Sequence, residues 1–409
     1  MKSEKWHTVP IKSVYQGLYD GPHATPAPCE DGPIFLGIKN ITDDGALNLT
    51  EIRHINEADL PRWTKRVNPQ PGDIVFTYEA TLNRYAIIPQ GFRGCLGRRM
   101  ALIRVDPEKT DPRFLHLYFF SKQWREVISN NIWSGATVDR IPLIKFPDFP
   151  VTIPDLPTQR KIAGILSAYD DLIENNLRRI KILEEMAQSL YREWFVHFRF
   201  PGHESAKMVD SALGPIPEGW DWINLNELGY VGRGRSRHRP RNDPGLYGGD
   251  YPFFQTGDIK AAQTFLWSNS QTYSEAGLAQ SKLWEEGTLC ITIAANIADT
   301  AILAKRACFP DSVVGFVPDA GIGKAFFVMM FLNTLKDHIQ NVSRGTTQDN
   351  LSLEKLLGFK ILRPSSDVSS RFEESVTRLF SQQLALIKKN ETLRRTRDLL
   401  RPKLLTDQH

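Results

Sequence analysis

A chain of 409 residues is too long for one ordinary core and suits two or three domains. Its 41% hydrophobic and 24% charged residues are those of a globular protein, and a net charge of only +4 means that any polyanion-binding surface must be local. No run approaches the roughly 18 apolar residues of a membrane span, "MKSEKWHTVPIKS" lacks the apolar core of a secretion signal, and the scattered Cys29, Cys95, Cys290 and Cys308 form no CxxC pair. A membrane helix, a leader and a zinc site are therefore not expected; reduced thiols in the cytoplasm are.

The chain opens with "WHTVPI" and a loop, "DGPHATP", carrying His23 and Thr25. The short runs "DIVFTY" and "RMALIRV" read as strands. "YEATLNR", with Arg84, follows the first of them, and "GCLGRRM", with Arg98 and Arg99, leads into the second. "DPRFLHLYFFSKQWREVISN" places Phe, Leu and Trp on one helical face. "WSGATVDRI" then carries Thr137 and Arg140. These elements predict a compact α+β head over 1–154, followed by a helical spacer over 155–200 and a linker over 201–216.

From Trp220 the chain repeats itself. "WHTVPI" returns as "WDWINL" after 214 residues, "FLGIKNI" as "FFQTGDI" after 218, and "GDIVFTYEATLNRYAII" as "GTLCITIAANIADTAIL" after 215. At a constant shift of 210, Gly135, Thr137, Leu143, Lys145, Phe149, Pro154, Leu183 and Leu190 fall on Gly345, Thr347, Leu353, Lys355, Phe359, Pro364, Leu393 and Leu400. Identities in chain order at one shift predict a second head over 217–364 and a second helical spacer over 365–409.

Both spacers are patterned for a coiled coil. In the first, one row is Ile162, Tyr169, Asn176, Leu183 and Leu190, and the other Leu166, Ile173, Ile180, Ala187 and Trp194. In the second, Phe372, Leu379, Leu386, Leu393 and Leu400 run unbroken beside a polar row of Val376, Gln383, Asn390, Arg397 and Leu404. That row marks a partner surface, or the drift of a straight helix from the 3.5-residue period. Asn176 either fixes the register or faces solvent. Two heads on antiparallel helices would be related by an approximate two-fold axis, which suits duplex DNA. "LYREWFVHFRF" gathers Tyr191, Trp194, Phe195 and Phe198 into either an exposed partner surface or a contact with the adjacent head.

Catalytic signatures are missing. There is no GxxxxGK[ST], HExxH or GxSxG, "YVGRGR" lacks the third glycine of a dinucleotide loop, and "AANIAD" has no proline–aromatic pair to cradle a flipped base. A non-catalytic binding protein follows. The basic segment "GRGRSRHRPRN" holds Arg233, Arg235, Arg237, His238, Arg239 and Arg241 without one acid. Guanidinium forks suit phosphates and the O6 and N7 of guanine. The loop of the first head that carries His23 falls at the same place. Arg84, Arg98, Arg99, Arg140 and Asn296 are further DNA candidates, as are Thr137, Thr347, Gln348 and Asn350, where amides pair with adenine edges and threonines contact phosphate, or where the threonines merely cap a helix.

"LPTQRKIAGILSAYDDLIENNLRRIKILEEMAQSLYREWFVHFRFPGHE", "IPEGWDWINLNELG", "RHRPRNDPGLYGGDYPFFQTGDI" and "LLRPKLLTD" closely resemble the specificity subunit of type I restriction–modification systems, over essentially the whole chain. The resemblance implies two pseudo-repeated α/β target recognition domains joined by two long helices in an antiparallel coiled coil. Each domain reads one half of a bipartite, asymmetric site on double-stranded DNA. The helices dock two modification (methyltransferase) subunits, and restriction subunits join them. It implies no catalytic centre or cofactor in this chain, with S-adenosylmethionine, ATP and Mg²⁺ in the partners, and no membrane. The competing reading is a coiled-coil scaffold whose two heads bind proteins.

Overall fold

The structure, a computed structural model, describes residues 6–27, 29–135, 138–294, 297–319, 321–343 and 351–406. The chain divides into two units, residues 1–174 with 391–409 and residues 175–390.

In the first unit, a four-stranded antiparallel sheet has the order Tyr15–Asp20, Met100–Val105, Ile74–Thr77, Tyr85–Ile87. Every residue of Ile74–Thr77 is buried, so this strand reads as a continuous apolar run rather than an alternating one. A smaller sheet pairs Cys29–Leu36 antiparallel with Arg53–His54 and parallel with Gly94–Leu96. His7–Pro10 pairs with Pro150–Ile153, so the start and end of the head close on each other. Two helices, Pro112–Tyr118 and Lys122–Ser129, begin where Asp111 and Ser121 accept backbone N–H bonds. They bring Phe114, Phe119 and Trp124 into a fully buried aromatic core with Phe76, Tyr85 and Phe146. The Trp124 indole N–H donates to the Tyr85 hydroxyl at 2.9 Å, satisfying both polar groups in that core.

The second unit repeats the plan. Its main sheet has the order Gly229–Arg233, Val313–Pro318, Leu289–Thr292, Thr300–Leu303, with Phe265–Leu266 added at the far edge. Asp221–Asn224 pairs with Lys360–Arg363 as the closing ribbon, and Tyr247–Phe253 pairs parallel with Ala307–Cys308 as Cys29–Leu36 does with Gly94–Leu96. Turns repeat as well. Gly72 (φ +90°) and Gly287 (φ +85°) precede matching strands, and Asn83 (φ +62°) and Ala298 (φ +65°) occupy the same hairpin position. The Ile141 N–H donates to the Tyr78 carbonyl at 2.7 Å, and at the equivalent place Leu351 donates to Ile293 at 2.9 Å.

The long helices are α1 (Leu156–Tyr191, 36 residues) and α2 (Ser366–Leu404, 39 residues). Of the two expected rows, Ile162, Leu166, Ile173, Asn176, Ile180 and Ala187 on α1 and Trp194 just past its end are buried, while Tyr169, Leu183 and Leu190 are half-buried. In the first unit Asp170 is ion-paired to Arg397 at 2.5 Å. In the second, the Asn176 amide donates to Asn390 Oδ1 at 2.7 Å, and Tyr191 packs on Phe372. In the second unit the partner numbers fall on α2 as they rise on α1, so the helices run antiparallel there.

Two expectations are corrected. The polar row of α2 is neither a partner surface nor solvent-facing drift: Gln383 and Asn390 are buried, and Arg397 is four-fifths buried on Asp170. The first helical segment does not reach residue 200. It ends in one wide i→i+5 turn at Arg192–Val196, after which Phe198 turns left-handed (φ +55°) and an Arg199–Glu193 ion pair locks the exit. The linker folds too, pairing Met208–Val209 with Ile216–Pro217.

Candidate nucleic-acid interface

The basic segment of the second head is an extension of the edge strand Gly229–Arg233 rather than a free loop. Gly234 N–H donates to the Val313 carbonyl at 2.8 Å and Arg235 N–H to Phe309 at 3.1 Å. Period two then sorts the residues. Gly232, Gly234 and Ser236 are buried, whereas Arg233, Arg235, Arg237 and Arg239 are exposed. Glycine is required at 234, where a Cβ would lie 2.2 Å from the Pro310 carbonyl oxygen. Gln280 and Ser281 hold the far side, accepting the Arg237 and His238 N–H groups and donating to the Arg235 carbonyl at 2.8 Å.

The segment lacks acids in sequence but not in space. Both carboxylate oxygens of Asp311 accept from the Arg241 Nη2 at 2.9 Å, and its backbone carbonyl accepts from Arg233 Nε at 2.6 Å. His238 bonds Asp243, whose carboxyl lies below its ordinary range through the Gly245 N–H and this imidazole. Arg239 donates to the Ser236 and His238 carbonyls at 2.8 Å. Among the described residues, Arg241 alone of the five arginines has an acidic partner; Arg233 and Arg239 are held by neutral carbonyls, and the exposed Arg235 and Arg237 have neither. Lys282 adds a further cation, its ammonium 3.6 Å from the Trp284 ring centroid and 4.6 Å from that of exposed Tyr230.

The first head builds its cluster differently. Asp20, at the end of the strand equivalent to Gly229–Arg233, accepts from His23 at 2.8 Å, from Arg66 at 3.3 Å and from the Tyr78 hydroxyl at 3.0 Å. Burial, then the Asp20 charge, push the Tyr78 hydroxyl well above its ordinary pKa, so it stays a donor. Next to Tyr78, Glu79 faces Arg99 at 3.4 Å and bridges to Arg140 through the backbone. The structure thus gathers His23, Arg99 and Arg140 from three separate stretches. Arg98 and Thr25 are exposed. Arg84 is three-quarters buried and tied to Asp43 at 2.7 Å and the Ile41 carbonyl, where it anchors a loop. Thr137, Asn296, Thr347, Gln348 and Asn350 lie outside the described residues.

Sequence reasoning missed the carboxylates Asp20, Glu79 and Asp311 and the cations Arg66 and Lys282. Their partners lie 46 residues away for Asp20 with Arg66, and 70 for Asp311 with Arg241. No local pattern joins such groups.

The partner-surface reading of the aromatic segment is overturned. Tyr191, Trp194 and Phe195 are 2%, 8% and 5% exposed. Phe195 sits 4.8 Å from both Phe327 and Phe372, and half-buried Phe198 packs on Trp220. A core holding so many apolar rings gains more from taking these side chains than water would allow outside. Among the described residues no group of His, Cys, Asp or Glu is placed to hold a metal ion, and no helix is long and apolar enough to cross a membrane.

The scaffold is duplicated, with a cluster of charged side chains at the corresponding edge of each main sheet. A family model described as the type I restriction modification DNA specificity domain matches residues 36–185 and 217–391, and the chain belongs to that family of specificity subunits. It is similar to the specificity subunit of type I restriction enzyme HindI from Haemophilus influenzae, 23% identical over 86% of this chain and 89% of the relative. A similar level holds for the MjaIX specificity subunit of Methanocaldococcus jannaschii, 24% identical over 86% and 81%. The crystal structure of a type I restriction-modification S subunit from M. genitalium shares the fold, with a TM-score of 0.60 at 16% identity over 100% of this chain and 98% of that one.

Proposed function

We propose that this chain is the non-catalytic reader of a type I complex in the cytoplasm, each head reading one half of a bipartite, asymmetric site in double-stranded DNA. One observation carries the reading. The two heads share strand order, turns and closing ribbons, yet present different side chains at the same edge, an Asp20–Glu79 cluster in one and an arginine row in the other. A common scaffold with different reading groups is what two unlike half-sites demand. The helices dock two modification subunits, and restriction subunits join through them. On α1 the exposed Ile182 and Met186, one turn apart, supply apolar contact area that the buried aromatics do not. S-adenosylmethionine, ATP and Mg²⁺ belong to those partners.

The test exchanges residues 1–154 for the corresponding head of another family member and maps methylated adenines genome-wide in a host supplying the modification subunit. One half of the motif should change and the other persist. Change in both halves, or methyl transfer by the purified chain alone, would overturn the reading.

A further inference from the structure

We propose that Trp133 is a DNA-contacting ring of the first head, packing against a sugar or base face while Arg140 and Lys145 take the flanking phosphates. The inference rests on the reading of that head as a DNA reader.

Trp133, 41% exposed, is the one Trp, Tyr or Phe ring in the exposed class among the described residues of its unit, where Trp124 and Phe146 are fully buried. It is not on a slack loop. Its N–H donates to the Arg140 carbonyl at 2.9 Å and its carbonyl accepts from Arg140 N–H at 3.1 Å, a two-bond neck that holds the backbone from which the ring projects. The Arg140 guanidinium and the Lys145 ammonium each lie 5.5 Å from the ring centroid. Beside Lys145 in the chain, Ile144 is 81% exposed. This patch belongs to the cluster described above. Ala80 N–H donates to the Asp139 carbonyl at 3.1 Å, and Ile141 N–H to the carbonyl of Tyr78, whose hydroxyl holds Asp20.

Charge selects the occupant. The two groups over the ring are cations on long side chains, and the nearby Glu79 is already engaged by Arg99. An anionic polymer with a flat, weakly polar interior matches an indole framed by cations, because phosphates draw the cations outward and leave the ring face for the nucleotide. Preorganisation by the neck lowers the ordering cost of that contact.

The test uses the full chain assembled with its modification subunit and a duplex carrying the methylation motif of the wild-type system. 5-Iodouracil replaces each thymine of the motif and its flanks in turn. Irradiation should give an adduct at Trp133. W133A should abolish it and weaken binding about tenfold with an unchanged salt slope, since a stacking contact and not a phosphate contact is lost. W133F should stay within about threefold of wild type. W133A melting at the wild-type temperature shows that the fold survives. Wild-type affinity in W133A, no adduct at position 133, or loss of modification-subunit association with DNA contact unchanged would each overturn the inference and leave the DNA-reader assignment standing. A wild-type complex showing no salt-dependent duplex binding would remove both.

Discussion

The two heads have one backbone plan and opposite electrostatic strategies. In the first, Asp20 and Glu79 gather His23, Arg66 and Arg99, so these cations are already paired within the protein. In the second, Asp311 neutralises Arg241 and leaves Arg235 and Arg237 unpaired on an edge strand. Cations held by carboxylates are oriented but weaker in field; unpaired cations reach phosphates at full charge and at any sequence. If both heads read DNA as proposed, the first arrangement would favour geometric discrimination and the second grip. The units differ also where a helix end enters the core. Tyr191, Trp194 and Phe195 fill the second core, whereas Leu400, Leu404 and Leu405 join the first.

The largest test of that contrast is in the cores. Phe195→Ala should cost about 3–5 kcal/mol and Leu405→Ala about 2–5 kcal/mol in urea unfolding, as buried large-to-small changes do. A stable Phe195→Ala chain that fails to co-purify with its modification subunit would return the aromatic segment to a partner role. The polar pairs between the helices come next. Asn176→Ala should cost about 1–3 kcal/mol by removing a buried hydrogen bond to Asn390 Oδ1, while the double change of Asn176 and Asn390 to leucine should be close to neutral or stabilising. Loss of the Asp170–Arg397 pair, whose carboxylate side is half-exposed, should cost only about 0.2–1 kcal/mol. Equal penalties at the two sites would remove this part of the contrast.

The reading surfaces give smaller but more pointed effects. Arg235→Ala with Arg237→Ala should flatten the salt dependence of duplex binding by about two units, against about one or less for His23→Ala or Arg241→Ala, whose groups already have acidic partners. Identical slopes across all three variants would mean that pairing within the protein does not matter to grip. The smallest effect is at Glu184, which accepts the Thr264 hydroxyl inside the second unit. Burial raises its pKa above the ordinary value of 4.5. Its contribution to stability is therefore full below that value and is lost as pH rises through the raised one. Glu184→Gln keeps the acceptor without the charge, so calorimetry should show no change near pH 4 and a stabilised protein near pH 8. A fall in stability at pH 8 would refute this account.

Sequence by itself determined the duplication, because strand and turn positions recur at shifts of 210 to 218 and any repeated pattern of apolar and turn residues is local information. It also determined the seam, since a helix exposes the same face every three to four residues whatever surrounds it. It located the arginine row too, although the alternation with Gly and Ser signified a strand edge and not a free loop. Tertiary structure alone decided which arginines are unpaired, because Asp311 reaches Arg241 across 70 residues of chain and Asp43 reaches Arg84 across 41. It decided the fate of the aromatic segment for the same reason. Whether a ring lies in core or on a surface depends on what packs over it, and Phe327 and Phe372 come to Phe195 from distant elements that no local spacing encodes.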